Sequence, residues 1–388
     1  MAYAGIDYYK IDDLLTDEER LVRDSVREWV NDRVIPGIEG WYRDAVFPMD
    51  RVPEMAELGL FGPTFPEEYG GAGIGDVAYG LAMQELERGD SGFRSFCSVQ
   101  SALVMYPIFT WGTDEQKRNL LPKLATGELL GAFGLTEPDY GSDPGSMITT
   151  AKKVDGGYLL NGAKMWITNS TIADILVVWA KLDGVVNGFL VEKGAKGLDC
   201  PETSGKWSLR ASVTGEIILQ DVFVPEEMRM PDAVGLKCPL MCLNQARYGI
   251  VWGVLGAAQH CYESTLRYTT EREQWGGPIN RHQMVQERLV IMLSEITKGQ
   301  LMAYRLGRMK EQGKASFRHV SLAKRNNCEQ ALNIARTARD LHGANGIADE
   351  YPIMRHMMNL ESVYTYEGTH NMHTLIVGAD ITGIEAYK

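Results

Sequence analysis

The hydrophobic period of this chain changes twice, and that pattern restricts its folds more than any single motif does. Between residues 1 and 130, apolar residues recur three and four apart in TDEERLVRDSVREWVNDRVIP and DEQKRNLLPKLATGE. The first segment opens on a Thr cap with an acidic first turn and stops at Pro36, which predicts a helix. FGPTFPEEYGGAGIGD, rich in Gly and Pro, predicts a loop between them. From 131 to 235 the texture becomes GAFGLTE, YLLNGAKMWITN, ADILVVWAKL, VNGFLVEK and GEIILQDVFVP, broken by DGG, LDG and KGAKG. These β-branched and aromatic runs predict consecutive strands in an antiparallel barrel or sandwich. No long helix lies between them to make parallel crossovers. From 236 to 388 the helical period returns in three long segments, which predict an antiparallel bundle of three or four helices. The expected class is α+β: an N-terminal helical domain (1–130), a middle β domain (131–235) and a C-terminal helical bundle (236–388). A chain of 388 residues exceeds one hydrophobic core.

Charge excludes some partners. The formal net charge of −12 argues against nucleic acid and against an anionic membrane surface, both of which need a basic face. It leaves room for an anionic small molecule in a local cationic pocket. No apolar run is long enough for a membrane span. The start, MAYAGIDYYKIDDLLTDEER, lacks the apolar core of a signal peptide and is too acidic for a mitochondrial transit peptide, so the expected location is cytoplasmic. Of six scattered cysteines only Cys238 and Cys242 are close, which reads as reduced thiols rather than a zinc site.

Several stretches carry candidate chemistry. No G-x-G-x-x-G follows a strand and no P-loop occurs, so a nucleotide cofactor would be held in another way. In TYEGTHNMH (365–373), Glu367 with His370 and His373 could suggest a di-iron bundle site, but no second E-x-x-H exists. Gly368 also disfavours a regular helix there. Glu367 then reads either as a surface charge or as a carboxylate whose pKa is raised among Val363, Tyr364 and Tyr366, as a base acting near neutral pH requires. In LTEPDYGSDPGS (135–146), Gly141 and Ser142 suit an ordinary turn or a close approach of backbone to an anion. KMWITN (164–169) reads as a core strand. In ERGDSGFRS (87–95), Gly89 predicts a helix stop and Asp90 or Ser91 a new cap. Arg94 and Ser95 then fall near a helix start, where the arginine makes either a structural ion pair or a pocket for a substrate carboxylate.

Taken together, LTEPDYGSD, MWITN, ERExxG, the ARDLHGANG run and YEGT, in that order and spacing, resemble the flavin-dependent acyl-CoA dehydrogenases over nearly the whole chain. DSGFRSFCSVQSALVMYPI, CLNQARYGIVWGVLG and NLESVYTYEGTH resemble the glutaryl-CoA dehydrogenase branch of that family. The resemblance implies an antiparallel β-barrel or sandwich between an N-terminal helical domain and a C-terminal four-helix bundle. It implies FAD in a cleft between the β and helical domains of a homotetramer, each site completed by a neighbouring subunit. Phe133, Leu135 and Thr136 match the segment lining the flavin, and Gly141 and Ser142 the turn near its phosphates, with Ser142 also near the thioester arm. Trp166, Ile167 and Thr168 match the segment behind the flavin ring, where Thr168 would bond its reactive edge. Arg272, Trp275 and Gln283, and the loop of Asp340, Leu341, Gly343 and Ala344, match positions reaching a neighbour's adenosine diphosphate. Thr369 closes the flavin site. Trp275 stands where phenylalanine is usual, and HGANG replaces the commoner GGNG-type run.

By the same resemblance, Glu367 is the catalytic base. It removes the α-proton of the thioester while the β-carbon delivers hydride to the flavin. The Glu367 backbone amide and a ribityl hydroxyl polarise the carbonyl, which stabilises the enolate. Asn244, Arg247 and Gly368 match positions near the acyl-CoA. Arg94 and Ser95 match the residues that hold the distal carboxylate of glutaryl-CoA. Tyr366 and Glu87 match the members that release CO2 from glutaconyl-CoA to give crotonyl-CoA. An electron-transfer flavoprotein is the implied acceptor, and no metal is implied. The rival readings are a non-decarboxylating relative, another short-chain acyl-CoA dehydrogenase, an oxidase on the same fold (disfavoured by chain length), and a non-catalytic or metal-binding bundle.

Overall fold

A computed structural model describes residues 7–386. Helices α1 (Asp17–Trp29), α2 (Ile38–Asp44), α3 (Val52–Glu57), α4 (Asp76–Gly89), α5 (Ser91–Ser98), α6 (Tyr106–Trp111) and α7 (Asp114–Ala125) come first. Strands β1 (Gly131–Gly134), β2 (Thr150–Val154), β3 (Gly157–Thr168), β4 (Ile175–Leu182), β5 (Val185–Glu192), β6 (Leu198–Asp199), β7 (Thr214–Pro225) and β8 (Arg229–Val234) follow. Helices α8 (Lys237–Glu271), α9 (Gln283–Glu311), α10 (Phe317–Leu341), α11 (Ile353–Thr365) and α12 (His370–Thr382) close the chain. The expected fold class, helical then β then helical bundle, is the observed one. No helix among the described residues is long and apolar enough to cross a membrane.

The helix starts follow local chemistry. Thr16 caps α1 and Thr113 caps α7, each through a capping box that satisfies two end amides. Asp90 caps α5 by accepting from the Gly92 N–H at 2.8 Å, so the chain breaks between Gly89 and Ser91 and restarts with Arg94 in the first turn.

The sheet runs in the order β6-β7-β3-β2-β4-β5-β8. Most ladders are antiparallel, but β1 and β2 both pair parallel to β4. They lie in line along one edge of β4, joined by the loop 135–149, so they share one direction. The sheet is therefore mixed, a feature that the alternation of apolar residues does not encode.

Helix α4 is buried on nearly every side. It can lie against α8 because α8 offers glycines there. A Cβ on Gly256 would stand 1.8 Å from the Gln84 carbonyl oxygen, and one on Gly253 would stand 2.1 Å from Glu87 Oε2. This close approach brings the C-terminal turn of α4, with Glu87, to the middle of α8.

Candidate active site

Five helices meet at the turn between α11 and α12. Glu367 has φ 52° and Gly368 has φ 90°, two successive left-handed residues that reverse the chain without extending the helix. Thr369 then caps α12 by accepting from the Met372 N–H at 3.1 Å. Every carbonyl of the turn is held by a buried cation. Arg247 on α8 donates from Nε to the Glu367 carbonyl at 2.6 Å. Lys324 on α10 donates to the carbonyls of Tyr366 at 2.7 Å and Gly368 at 2.9 Å.

Arg94 on α5 is fully buried, with 0% of its surface exposed. Its Nε donates to Glu87 Oε2 at 2.7 Å, Nη2 donates to the Tyr366 hydroxyl, and Nη1 is buried with no partner. Burial works to lower the guanidinium pKa, but Glu87 and Tyr366 outweigh it and hold the value above the ordinary one. Glu87 is itself fixed by the Ser91 hydroxyl at 2.8 Å. Glu367 lies close enough to these cations to feel them. Its Oε2 is buried without a partner. Burial raises its pKa above the usual carboxylate range, and Arg94, Lys324 and Arg247 oppose that rise. A carboxylate with a raised pKa and an unpartnered oxygen is suited to accept a proton, and Arg94, with one donor free, is near enough to act on it electrostatically.

A second group lies on the β side. The β3–β7 register slips between Lys164 and Ile167. At this bulge Trp166 adopts φ 62° and turns its indole out to 58% exposure. Ile167 is buried beneath it and Thr168 ends the strand. Phe133 on β1 and Leu135 just beyond it are buried nearby, and the Met165 N–H bonds the Thr136 carbonyl at 2.9 Å. Gly141 and Ser142 are exposed in the following loop, and a Cβ on Gly141 would meet only open space. An outward indole beside a hydroxyl and an open glycine loop fit a planar ring with a phosphate tail.

Family models match throughout: the acyl-CoA dehydrogenase N-terminal domain over residues 16–128, the middle domain over 132–222 and the C-terminal domain over 234–382. The chain belongs to the acyl-CoA dehydrogenase family. The glutaryl-CoA dehydrogenase of Desulfococcus multivorans is 33% identical over 95% of this chain and 98% of its own. A crystal structure of glutaryl-CoA dehydrogenase from Mycobacterium smegmatis is 50% identical, with a TM-score of 0.96 over 97% of this chain and 98% of that one. A second from the same organism, in complex with FADH2, is 46% identical, with a TM-score of 0.98 over 100% of both chains. Short-chain-specific members match as well, one from Megasphaera elsdenii at 32% identity over 94% of this chain and 98% of its own. Acyl-CoA dehydrogenases are FAD-dependent enzymes, in agreement with the cofactor expected from the motifs.

Of the residues expected in this acyl-CoA dehydrogenase site, the structure joins Glu87, Arg94, Tyr366, Glu367, Gly368 and Arg247 through direct contacts. Asn244, one turn before Arg247, has a shielded Oδ1 without a partner. Ser95 is buried beside Arg94. Ser98, which sequence reasoning missed, is buried four residues after Arg94 on the same helix face, with its hydroxyl beside that of Tyr79. That i, i+4 spacing was the available signal. Also missed were Lys324 and the pair of Glu137 with Lys164, at 2.9 Å. Glu137 accepts from the Ile148 and Thr149 N–H groups at 2.7 and 3.0 Å, so the buried pair ties the 135–149 loop to β3. Single lysines on helical or strand patterns gave no sign of this.

Arg272, Trp275, Gln283, Asp340, Gly343 and Ala344 are exposed and lie elsewhere, with Leu341 buried in the core behind them. Ties between the two segments, such as Arg288 with Asp340 and the Tyr268 hydroxyl with the His342 carbonyl, gather them. Arg272 follows Arg247 by 25 residues along and just past α8, which is roughly 37 Å of helix. Of the histidines after the turn, His370 stacks on Tyr364 with centroids 4.6 Å apart. Burial pulls the His373 imidazole down to about 3, so it is neutral against Gly368. Among the described residues, no three His, Cys, Asp or Glu side chains gather as a metal site.

Proposed function

We propose that this enzyme oxidises glutaryl-CoA to glutaconyl-CoA and then releases CO2 to give crotonyl-CoA. The observation that carries the reading is the free Nη1 of Arg94. An arginine held entirely out of water, paired to Glu87 yet keeping one unpaired donor, is costly unless an anion completes it. The distal carboxylate of a dicarboxylyl thioester is such an anion, and the Ser98 hydroxyl stands ready as a second donor. A pocket for a plain fatty chain would have no use for this charge.

FAD, when bound, supplies the two-electron oxidant that takes the β-hydrogen with its electron pair. Phe133, Leu135, Thr136, Trp166, Ile167, Thr168 and Thr369 would hold its ring, and Gly141 and Ser142 its phosphates. Glu367 takes the α-proton, and its N–H donates to the thioester oxygen as negative charge grows there. Arg94, with Ser95 and Ser98 beside it, anchors the far carboxylate so that α- and β-carbons are fixed between base and ring. In the second half the bond from the γ-carbon to the carboxylate breaks and its electron pair enters the conjugated thioester. The γ-carbon then takes a proton from the acid form of Glu367. Tyr366, bonded to Arg94, sits where the departing carboxylate must lose its grip.

An electron-transfer flavoprotein is the proposed acceptor and a homotetramer the proposed assembly. The exposed Arg272 group supports the assembly, because it is too far along α8 to serve its own protomer. Six unpaired cysteines suit a reducing, cytoplasmic setting. The test is product analysis after incubating the protein with glutaryl-CoA and an artificial electron acceptor. Crotonyl-CoA and CO2 in equal amounts are expected. Glutaconyl-CoA accumulating alone would remove the decarboxylation, and an acceptor that stays oxidised would remove the substrate.

A further inference from the structure

The geometry points to Lys324 as a positioning residue for this reaction: its buried ammonium clamps and polarises the Tyr366–Glu367 peptide, which carries both the base and the amide that faces the thioester oxygen. The inference rests on reading Glu367 as the base. Lys324 is 1% exposed, and its three partners are all carbonyls: Val363 at 3.4 Å, Tyr366 at 2.7 Å and Gly368 at 2.9 Å. Two of these lie at the C-terminal end of α11, where a cation complements the helix dipole. In a trans peptide the carbonyl and the next N–H point in opposite directions. Holding the Tyr366 carbonyl therefore aims the Glu367 N–H the other way, and drawing electrons toward Lys324 makes that N–H a better donor. Among the described residues the Glu367 N–H has no acceptor, so it is available for a ligand.

The groups around Lys324 define its electrostatics. Glu367 and Tyr366 lie on the turn, Arg94 on α5, Arg247 on α8, Cys328 on its own helix, and His370 and His373 on α12. Glu87 lies behind Arg94. Burial pulls Lys324 down to about 8, so the ammonium is present below that pH and is lost above it. Its charge, with those of Arg94 and Arg247, also works against the burial that raises Glu367.

Lys324→Met and Lys324→Arg, compared with wild type as holoenzymes, test the assignment. Lys324→Met is expected to keep its yellow flavin absorbance and near-normal KM for glutaryl-CoA. Its kcat should fall about 100-fold, as for a lost oxyanion donor, and the acid limb of its pH profile should move up by about one unit. Binding of acetoacetyl-CoA, an enolisable thioester that is not dehydrogenated, should weaken in parallel. Lys324→Arg should recover much of kcat and lose the alkaline fall near pH 8, because a guanidinium does not titrate there. An unmoved pH profile with unchanged kcat in Lys324→Met overturns the assignment. So does loss of flavin from both variants, which would make Lys324 a folding residue only. Glu367→Gln, assayed alongside, separates the two failures: if it still turns over, the base is wrong, and if it is dead while Lys324→Met is normal, only the clamp is wrong.

Discussion

The two ends of α8 show opposite constructions. Near its start, Arg247 and the charges around it, Arg94, Glu87 and Lys324, are buried and tied to each other or to backbone carbonyls, with the unpartnered Glu367 carboxylate beside them. Past its last turn, Arg272 is exposed, and Trp275 beyond it is 84% exposed. The buried end is complete within one chain except for a few donors and acceptors without partners, Arg94 Nη1 and Glu367 Oε2 among them. The exposed end has side chains suited to a ligand but no wall to hold one against. The difference teaches that one helix can tie charges into a closed network along one stretch and leave them open to solvent at its end.

Glu367→Gln should break the buried end most severely. The variant keeps the shape and loses the proposed base, so kcat on glutaryl-CoA should drop by about 10³–10⁴, with the flavin spectrum retained. Arg94→Ala comes next. It leaves Glu87 buried without its cation and removes the carboxylate anchor, so kcat/KM for glutaryl-CoA should fall by roughly 10³, near 4 kcal/mol. Activity on butyryl-CoA, which has no distal carboxylate, should fall less, and an equal fall would show that Arg94 only supports the fold. Lys164→Met strands Glu137 beneath the 135–149 loop. It should cost about 3 kcal/mol of stability, read as a lowered unfolding midpoint and weaker FAD retention.

The exposed end should respond more gently. Arg272→Ala should leave the unfolding midpoint of the flavin-free protein within about 0.5 kcal/mol of wild type. FAD affinity should weaken by about 1–2 kcal/mol, as for one lost charge-assisted contact, and the chemical step should be unchanged. A drop in kcat equal to that of a Glu367 variant would erase the distinction between the two ends. A pH series sharpens it. Burial raises the Glu367 pKa, so kcat/KM should decline as pH falls through that raised value and the base is protonated. FAD release through the Arg272 group, exposed to solvent, should instead track ionic strength.

The helical and β segments were legible because each period reports which face is buried. The caps at Thr16 and Asp90 were legible because few side chains can accept from the free amides of a helix start; the cap at Thr113 came only with the structure. The pairing of β1 and β2 with β4 was not, since strand direction leaves no trace in alternation. At the proposed site, YEGT, MWITN and LTEPDYGSD were singled out by family resemblance, whereas their residues alone left surface charge, turn and core strand open. Ser98, Lys324 and the Glu137–Lys164 pair escaped notice because burial of a polar group depends on what packs over it.

By itself, the sequence determined the order of the three structural regions, the restart of the chain at Asp90 that places Arg94 in a first turn, and the glycine that breaks the helix after Glu367. These are local matters of period, caps and φ. Only the tertiary structure decided that Glu87, Arg94, Tyr366 and Glu367 meet, that two cations grip the turn carbonyls, and that Arg94 keeps one donor free. The groups come from four helices and a turn, up to 280 residues apart in the chain. The raised pKa of Glu367 and the unmet hydrogen bonds arise from removing water around the site, which no stretch of sequence does alone.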